Sequence, residues 1–246
     1  MDYSEQKKNW QICARGVAAL PGTCGELFQG TLDGTPCLVS LPIDRWVSAH
    51  VHWRSNEDDW KLPSGRTKSL EAMQLAAQKW NLKGSAELDW ASELPEGKGF
   101  GSSTADICAS LFALAVAVGR QVTPWEIVQL AIEVEPTDSS PLPELALLDH
   151  RRGLWWKKLG KLPRLDVLVV DTGGVVDTIR FNQMDYDWIG RHYAGQHSAA
   201  FECLQDGIRL QDSKLIGEAA TLSARVQQQI LPKPKLNKMI ALATQT

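Results

Sequence analysis

One stretch decides the expected fold of this 246-residue chain: Leu94-Pro95-Glu96-Gly97-Lys98-Gly99-Phe100-Gly101-Ser102-Ser103-Thr104-Ala105-Asp106. An alternating pattern over residues 86–90 predicts a strand before it, and an apolar run over residues 103–118 predicts a helix after it. Three glycines within five positions let the backbone adopt positive φ and approach a ligand without Cβ clashes. Ser102 and Ser103 take the N-cap and first-turn positions of the predicted helix.

The predicted start of this helix is suited to binding an anion. Its first N–H groups lack intrahelical acceptors and carry the positive end of the helix dipole, which a polyphosphate can use. A serine hydroxyl in this place can also bind Mg²⁺, a hard cation that prefers oxygen. The stretch is not a Walker A motif, since no Gly-Lys-[Ser/Thr] closes it, and its glycine spacing does not fit a Rossmann fingerprint. A flexible loop before an ordinary capped helix is the alternative.

Strands and helices alternate over the first two thirds of the chain, which predicts an α+β or α/β fold rather than a helical bundle, and we favour α+β. The predicted strands outside the loop region cover residues 11–19, 37–41, 47–53 and 165–170, and the turn signal Pro21-Gly22 ends the first. The predicted helices cover residues 70–80, a segment opened by Thr123-Pro124, residues 188–206 and 213–230, and a piece after Pro234. We expect two domains, residues 1–160 and 161–246.

Composition restricts the class of function. Hydrophobic residues make up 43% of the chain and charged residues 22%, as in an ordinary soluble globular protein. The net charge of −3 provides no global field toward nucleic acid or anionic lipid, so we expect neither as a partner. The N-terminus has no signal-peptide pattern, and the longest apolar run is too short to span a bilayer. Five cysteines without metal-type spacing fit a reduced, cytoplasmic compartment.

The pattern Pro-x-x-x-Gly-Phe-Gly-Ser-Ser-Thr-Ala over residues 95–105 resembles the second motif of the GHMP kinases. In that family this loop wraps the nucleotide phosphates, and a serine of the Ser-Ser pair binds magnesium. The resemblance implies Ser103 as the Mg²⁺ ligand. Asp106, four residues into the helix, is expected to approach the metal, unless it forms a salt bridge or serves as a first-turn charge. The resemblance also implies that ATP lies on ten residues of the loop: Pro95, Glu96, Gly97, Lys98, Gly99, Phe100, Gly101, Ser102, Ser103 and Thr104.

Residues 21–30, Pro-Gly-Thr-Cys-Gly-Glu-Leu-Phe-Gln-Gly, look like the opening motif of one branch, the L-threonine kinases of cobalamin biosynthesis. The segment Glu135-Pro136-Thr137-Asp138-Ser139 follows in the order of that branch. The resemblance implies an N-terminal domain like ribosomal protein S5 domain 2 and a partial ferredoxin-like domain. The implied reaction is ATP-dependent phosphorylation of L-threonine for the aminopropanol arm of cobalamin. A kinase for another small hydroxyl substrate, such as homoserine, and a catalytically impaired nucleotide-binding remnant are the alternatives.

Further roles are expected for one residue of the loop and for three residues outside it. Asp138 is the expected catalytic base, with a turn or helix cap as the alternative. Many GHMP kinases have a lysine where this chain has Thr23, so Lys98 is the expected catalytic cation. Glu26 is expected to bind the substrate ammonium or to support magnesium, unless it is a buried structural carboxylate. Arg15 is expected to pair with the substrate carboxylate, unless it is an exposed charge.

The third, glycine-rich motif of the GHMP kinases does not occur before Thr246. We therefore expect a truncated C-terminal domain. Its helices around residues 188–204 and 215–230 would then present a contiguous apolar patch to solvent.

Overall fold

The computed structural model describes residues 13–62, 65–170, 187–233 and 235–243. Within these ranges five strands form one antiparallel sheet, so the predicted α+β class is confirmed. The strands are β1 (Cys13–Leu32), β2 (Thr35–Ser55), β3 (Gly84–Ser92), β4 (Leu145–Leu148) and β5 (Trp156–Gly160). The helices are α1 (Thr67–Lys79), α2 (Ser102–Ala117), α3 (Pro124–Val134), α4 (Asp187–His192), α5 (Ala194–Leu210), α6 (Ser213–Gln227) and α7 (Leu236–Ala243).

Two unusually long strands, β1 and β2, form a hairpin that runs through the whole described sheet. Its two-residue turn, Asp33-Gly34, has positive φ at both positions, as tight hairpin turns of this kind require. The turn predicted at Pro21-Gly22 is wrong, because β1 continues through these residues. Its pairing with β2 changes register at several points between Pro21 and Phe28. Such irregularities redirect side chains, and the candidate site lies beside this part of β1.

Strand β2 is the centre of the sheet and joins the two strands predicted over residues 37–41 and 47–53. β1 follows one edge of β2, while β3 pairs with Val47–Ser55 and β4 with Leu38 on the other edge. The segment that follows β3 and the segment that precedes β4 therefore both lie near the middle of β2.

Helix α2 packs against β1 and β2 and fills the first hydrophobic core. The approach is close, since a Cβ on Gly16 of β1 would overlap the Ala113 carbonyl of α2. Helix α3 begins as predicted, with Pro124 in its first turn and a capping box between Thr123 and Glu126.

A second core lies between the later half of β1 and the helices α5 and α6. The Gln29 N–H donates to the Ser223 hydroxyl at 2.9 Å, and the Gln227 amide donates to the Gln29 carbonyl at 2.9 Å. Trp188 and Leu222 are exposed, but the expected contiguous apolar patch is wrong, because the following apolar side chains of these helices are buried in this core: Ala200, Phe201, Leu204, Ile208, Ile216 and Ala219.

Two other predictions differ from the structure. Residues 165–170 form no strand, and Leu168 is 89% exposed, so their apolar character does not reflect a buried strand. The helix predicted over residues 188–206 is divided at Tyr193 into α4 and α5. No described helix combines the length and apolarity needed to cross a membrane. The division into domains at residue 160 stays a prediction.

Candidate active site around the glycine-rich loop

The glycine-rich loop leads into α2 and leaves the start of that helix open. Gly97, Gly99 and Gly101 have φ of 67°, 77° and 62°, values that favour glycine. The N-cap is Gly101 and not the expected Ser102, and no side chain caps the helix. The first intrahelical bond runs from the Ala105 N–H to the Gly101 carbonyl at 3.0 Å. The amides over residues 102–104 therefore lack intrahelical acceptors and are available to an anion.

Thr23 attaches this loop to the irregular part of β1. Its N–H donates to the Phe100 carbonyl at 2.9 Å, and its side chain is buried. A Cβ on Gly101 would overlap Asp138 Oδ2 and would lie 2.5 Å from Thr23 Oγ1. Gly101 is therefore required both by its φ and by the close approach of two polar side chains.

Asp138 faces the loop from the segment after α3. Its N–H donates to Thr104 Oγ1 at 3.1 Å, and Thr23 Oγ1 donates to Asp138 Oδ2 at 3.5 Å. Burial, reinforced by the charges of Glu26 and Glu135, raises the pKa of Asp138 to about 7. The chain around Asp138 is not helical, so the alternative of a helix cap gains no support.

Glu135, at the end of α3, is a site residue that the sequence analysis missed. The Ser103 hydroxyl donates to Glu135 Oε1, and Lys68 Nζ lies 2.6 Å from Glu135 Oε2. A hydroxyl and a carboxylate side by side at a phosphate loop are oxygen ligands of the type that Mg²⁺ prefers. The segment Glu135-Pro136-Thr137-Asp138 contains this carboxylate three residues before Asp138, and this spacing is the sequence signal for it. Ser103 and Glu135 are therefore residues that would fit a magnesium ion.

Arg66 organises the opposite side of the loop. Its guanidinium lies 2.7 Å from Asp106 Oδ2 and 2.6 Å from Glu96 Oε1, and it stacks 3.5 Å from the Trp90 ring centroid. Burial raises the pKa of Asp106 to about 6, although the Arg66 charge opposes this shift. The structure thus gives Asp106, predicted near the metal, a salt bridge as its partner. No local pattern around Arg66 indicated this role.

The other predicted residues lie at different distances from the loop. Glu26 stands opposite Ser40 on β2, and its pKa is raised by burial against the opposing charge of Lys233. The Glu26 charge raises the pKa of Asp138, so the structure brings these two predicted carboxylates close together. Lys98 is half-buried within the loop. Arg15 is exposed on β1, eight residues before Thr23, or about 26 Å along the strand, so the geometry gives its predicted role no support.

Ser139 holds the Asp138 segment in place against the sheet. The Ser40 N–H donates to Ser139 Oγ and the Ser139 N–H donates to Ser40 Oγ, both at 3.0 Å. Both serines are buried, so neither bond competes with solvent. This reciprocal pair fixes the backbone next to Asp138 relative to β2.

Known proteins share parts of this sequence and this fold. Residues 67–142 match the family model described as the GHMP kinases N terminal domain. An L-threonine kinase from Citrobacter freundii is 35% identical over 231 residues, which cover 92% of this chain and 78% of that protein. An L-threonine kinase from Salmonella typhimurium is 30% identical over 230 residues, covering 92% and 75%. A solved structure of mevalonate diphosphate decarboxylase from Enterococcus faecalis, described for its ATP binding, has a TM-score of 0.66 at 14% identity and covers 95% of this chain and 82% of that one.

Proposed function

The chain belongs to the GHMP kinase family, and from this premise we propose that it phosphorylates the side-chain hydroxyl of L-threonine with ATP. The observation that carries the proposal is the open start of α2, where Ser103 contacts Glu135 at the end of α3 and Thr104 contacts Asp138. Threonine as the acceptor is supported by the two L-threonine kinases that match 92% of the chain. The product, O-phospho-L-threonine, would feed the aminopropanol arm of cobalamin.

The residues of the loop bind and orient the nucleotide. ATP with Mg²⁺ supplies the phosphoryl group and neutralises the charge that its transfer develops. The free amides over residues 102–104 donate to phosphate oxygens, and the positive-φ glycines let the backbone approach them. Ser103 and Glu135 would hold the metal through a hydroxyl and a carboxylate oxygen. Lys98 places a cation beside the phosphates.

Asp138 acts on the acceptor. It takes, at Oδ2, the proton that the threonine hydroxyl loses as its oxygen bonds to the γ-phosphorus, and ADP leaves with the electrons of the broken bond. A pKa of about 7 suits this task, because a general base works best when its pKa lies near the operating pH. Thr23 and Thr104 hold the carboxylate and its backbone, and Glu26 binds the substrate ammonium.

The direct experiment measures ADP release from ATP and Mg²⁺ with L-threonine, L-serine and L-homoserine as acceptors, and identifies the product by phosphorus NMR. We expect L-threonine to give the highest kcat/KM and an O-phospho-L-threonine signal. A preference for L-homoserine would favour that substrate instead. Nucleotide binding by calorimetry with no turnover for any acceptor would favour the impaired remnant.

A further inference from the structure

The last turn of α6 is fixed to β1 close to Glu26. Gln29, three residues after Glu26, donates its N–H to Ser223 Oγ and accepts the Gln227 side-chain amide at its carbonyl, both at 2.9 Å. Because these bonds join the backbone of β1 to two side chains one helical turn apart, the end of α6 has a fixed position beside this part of the strand. Lys233 follows Gln227, the last residue of α6, by six positions.

The backbone of Lys233 is held on both sides. Its N–H donates to Gln228 Oε1, and its carbonyl accepts Gln228 Nε2 and the Leu236 N–H, both at 3.0 Å. In the sequence, Pro232 precedes it and Pro234 follows it, and a residue before proline has a restricted backbone. Lys233 is exposed, yet its side chain starts from a backbone that is better fixed than that of an ordinary surface lysine.

The Lys233 charge acts on Glu26 without a direct contact. Burial raises the pKa of Glu26 and of Cys24, and the Lys233 charge opposes the shift in both cases. Among the residues that the structure describes, however, no carboxylate oxygen lies within 4.0 Å of Lys233 Nζ. A purely structural ion pair would bring the two charges into contact. Here an acid and a base face the same region and stay apart.

A substrate carboxylate placed close to Glu26 needs a cation, because like charges repel. Two other basic side chains around the loop are already paired with carboxylates: Arg66 on one side and Lys68 on the other. Lys98 belongs to the loop itself, where the proposed function places it beside the phosphates. Lys233 is therefore the cation that the site offers next to Glu26.

We propose that Lys233 binds the carboxylate of the acceptor, so that Lys233 and Glu26 together recognise a free α-amino acid. This role rests on the proposed function, in which an amino acid accepts the phosphoryl group. An α-amino acid carries its ammonium and its carboxylate on the same carbon, so its two charges fit between a base and an acid that do not touch. Lys233 takes the role that the sequence predicted for Arg15, which is exposed on β1.

The test compares L-threonine with (R)-1-amino-2-propanol, which has hydrogen in place of the carboxylate and keeps the ammonium and the hydroxyl. Calorimetry measures the binding of each compound to the full chain in the presence of Mg²⁺ and a non-hydrolysable ATP analogue. The ADP-release assay gives kcat and both KM values. Lys233→Met removes the charge, Lys233→Arg keeps it, and Lys214→Met, exposed at the other end of α6, is the matched control.

For Lys233→Met we expect the Kd and the KM for L-threonine to rise by about tenfold, because a hydrogen bond to a charged group contributes at least this factor. The KM for ATP and the binding of (R)-1-amino-2-propanol should stay unchanged. Lys233→Arg should recover most of the affinity for L-threonine, and Lys214→Met should behave like the wild type. A merely structural role of Lys233 would instead change the binding of both compounds alike.

Three outcomes would overturn the proposal: normal L-threonine affinity in a folded Lys233→Met protein, equal losses for the two compounds, or equal affinity of the wild type for both. Each of these leaves the kinase activity itself standing if L-threonine is turned over. L-threonine that binds through Lys233 without ADP release would support the role of Lys233 and contradict the proposed kinase activity. A wild type that binds neither L-threonine nor L-homoserine would overturn both proposals.

Discussion

The two sides of the glycine-rich loop enclose carboxylates in opposite ways. On one side, Arg66 pairs with Asp106 and Glu96, and Trp90 covers its guanidinium. On the other side, Asp138 meets the hydroxyls of Thr23 and Thr104, and its charged neighbours Glu26 and Glu135 are acidic. We call these the arginine side and the acid side.

This difference suits the arginine side to positioning the loop and the acid side to proton transfer. Burial raises both pKa values, to about 6 for Asp106 and about 7 for Asp138, but a cation opposes the shift for Asp106 alone. A buried carboxylate with a good cationic partner stays ionised and fixes the geometry around it. A carboxylate with acidic neighbours is near its titration point at neutral pH, which suits a base.

The largest expected effect is on the acid side, for Asp138→Asn. The amide keeps the shape and the hydrogen-bonding capacity but cannot take a proton, so we expect kcat to fall by roughly 10²–10⁴-fold. The ADP-release assay with L-threonine measures this. Asp89→Asn, at an exposed position of β3, is the matched control and should retain the wild-type rate. A folded Asp138→Asn protein with normal turnover would remove Asp138 from catalysis.

The same substitution has a predicted effect on stability. Because the pKa of Asp138 is raised to about 7, the folded chain binds this proton more tightly than the unfolded chain does. Stability is therefore lost as the pH rises from the ordinary aspartate range through about 7. Above this range Asp138→Asn should melt at a higher temperature than the wild type, and near pH 4 the two should converge. Calorimetric scans at pH 4 and at pH 8 measure the difference in melting temperature. An Asp138→Asn variant that melts below the wild type at pH 8 would contradict the prediction.

The next largest effect is on the arginine side, for Arg66→Met. This change leaves Asp106 buried without its cation, so we expect a loss of about 3–5 kcal/mol in the free energy of unfolding. The control is Arg209→Met, which breaks an exposed ion pair with Asp206 and should cost less than about 1 kcal/mol. Urea unfolding measures both. Similar losses for the two variants would mean that Arg66 is not a buried anchor of the loop.

The contrast between the two sides also shows what could be predicted from the sequence. Ser103, Asp138 and Glu26 belong to contiguous motifs, so the sequence alone predicts them as site residues. Arg66 is a single residue whose partners, Glu96 and Asp106, lie 30 and 40 positions away. Its role depends on how α1 packs beside α2, and no local pattern reports this.

The errors in the fold have a similar origin. Helix α2 was predicted well because a glycine-rich start and a long apolar run are local signals. The turn at Pro21-Gly22 was not, because pairing with β2 keeps these residues in a strand despite their local preference. The apolar residues 165–170 suggested a strand, yet strand formation needs a partner edge, and the structure pairs them with none of the described strands.

A smaller effect is expected for Ser103→Ala, which probes the metal on the acid side. Even an outer-shell partner of a metal typically contributes a factor of 10–100, so we expect the Mg²⁺ concentration for half-maximal ADP release to rise by at least about tenfold. Ser110→Ala removes a hydroxyl that bonds to the Asp106 carbonyl within α2, and it should leave this Mg²⁺ dependence unchanged. An unchanged Mg²⁺ dependence for Ser103→Ala would exclude its hydroxyl as a ligand.

The smallest predicted effect is a displacement of the pH profile in Glu26→Gln. In the wild type, kcat/KM should rise with pH as Asp138 loses its proton, with a midpoint near its pKa of about 7. The Glu26 charge adds to burial in raising that pKa, so its removal should move the midpoint to lower pH. Because the two carboxylates interact, the rising part of the wild-type pH profile reports the titration of the pair, and it should steepen toward a single titration in the variant.

The midpoint of the profile is the readout that distinguishes this effect, since loss of the ammonium contact lowers the height of the whole profile without moving its midpoint. Glu202→Gln, exposed on α5, should leave the midpoint in place. A midpoint that stays fixed in Glu26→Gln would show that the acid side does not act as one coupled group, and the distinction between the two sides of the loop would then rest on Arg66 alone.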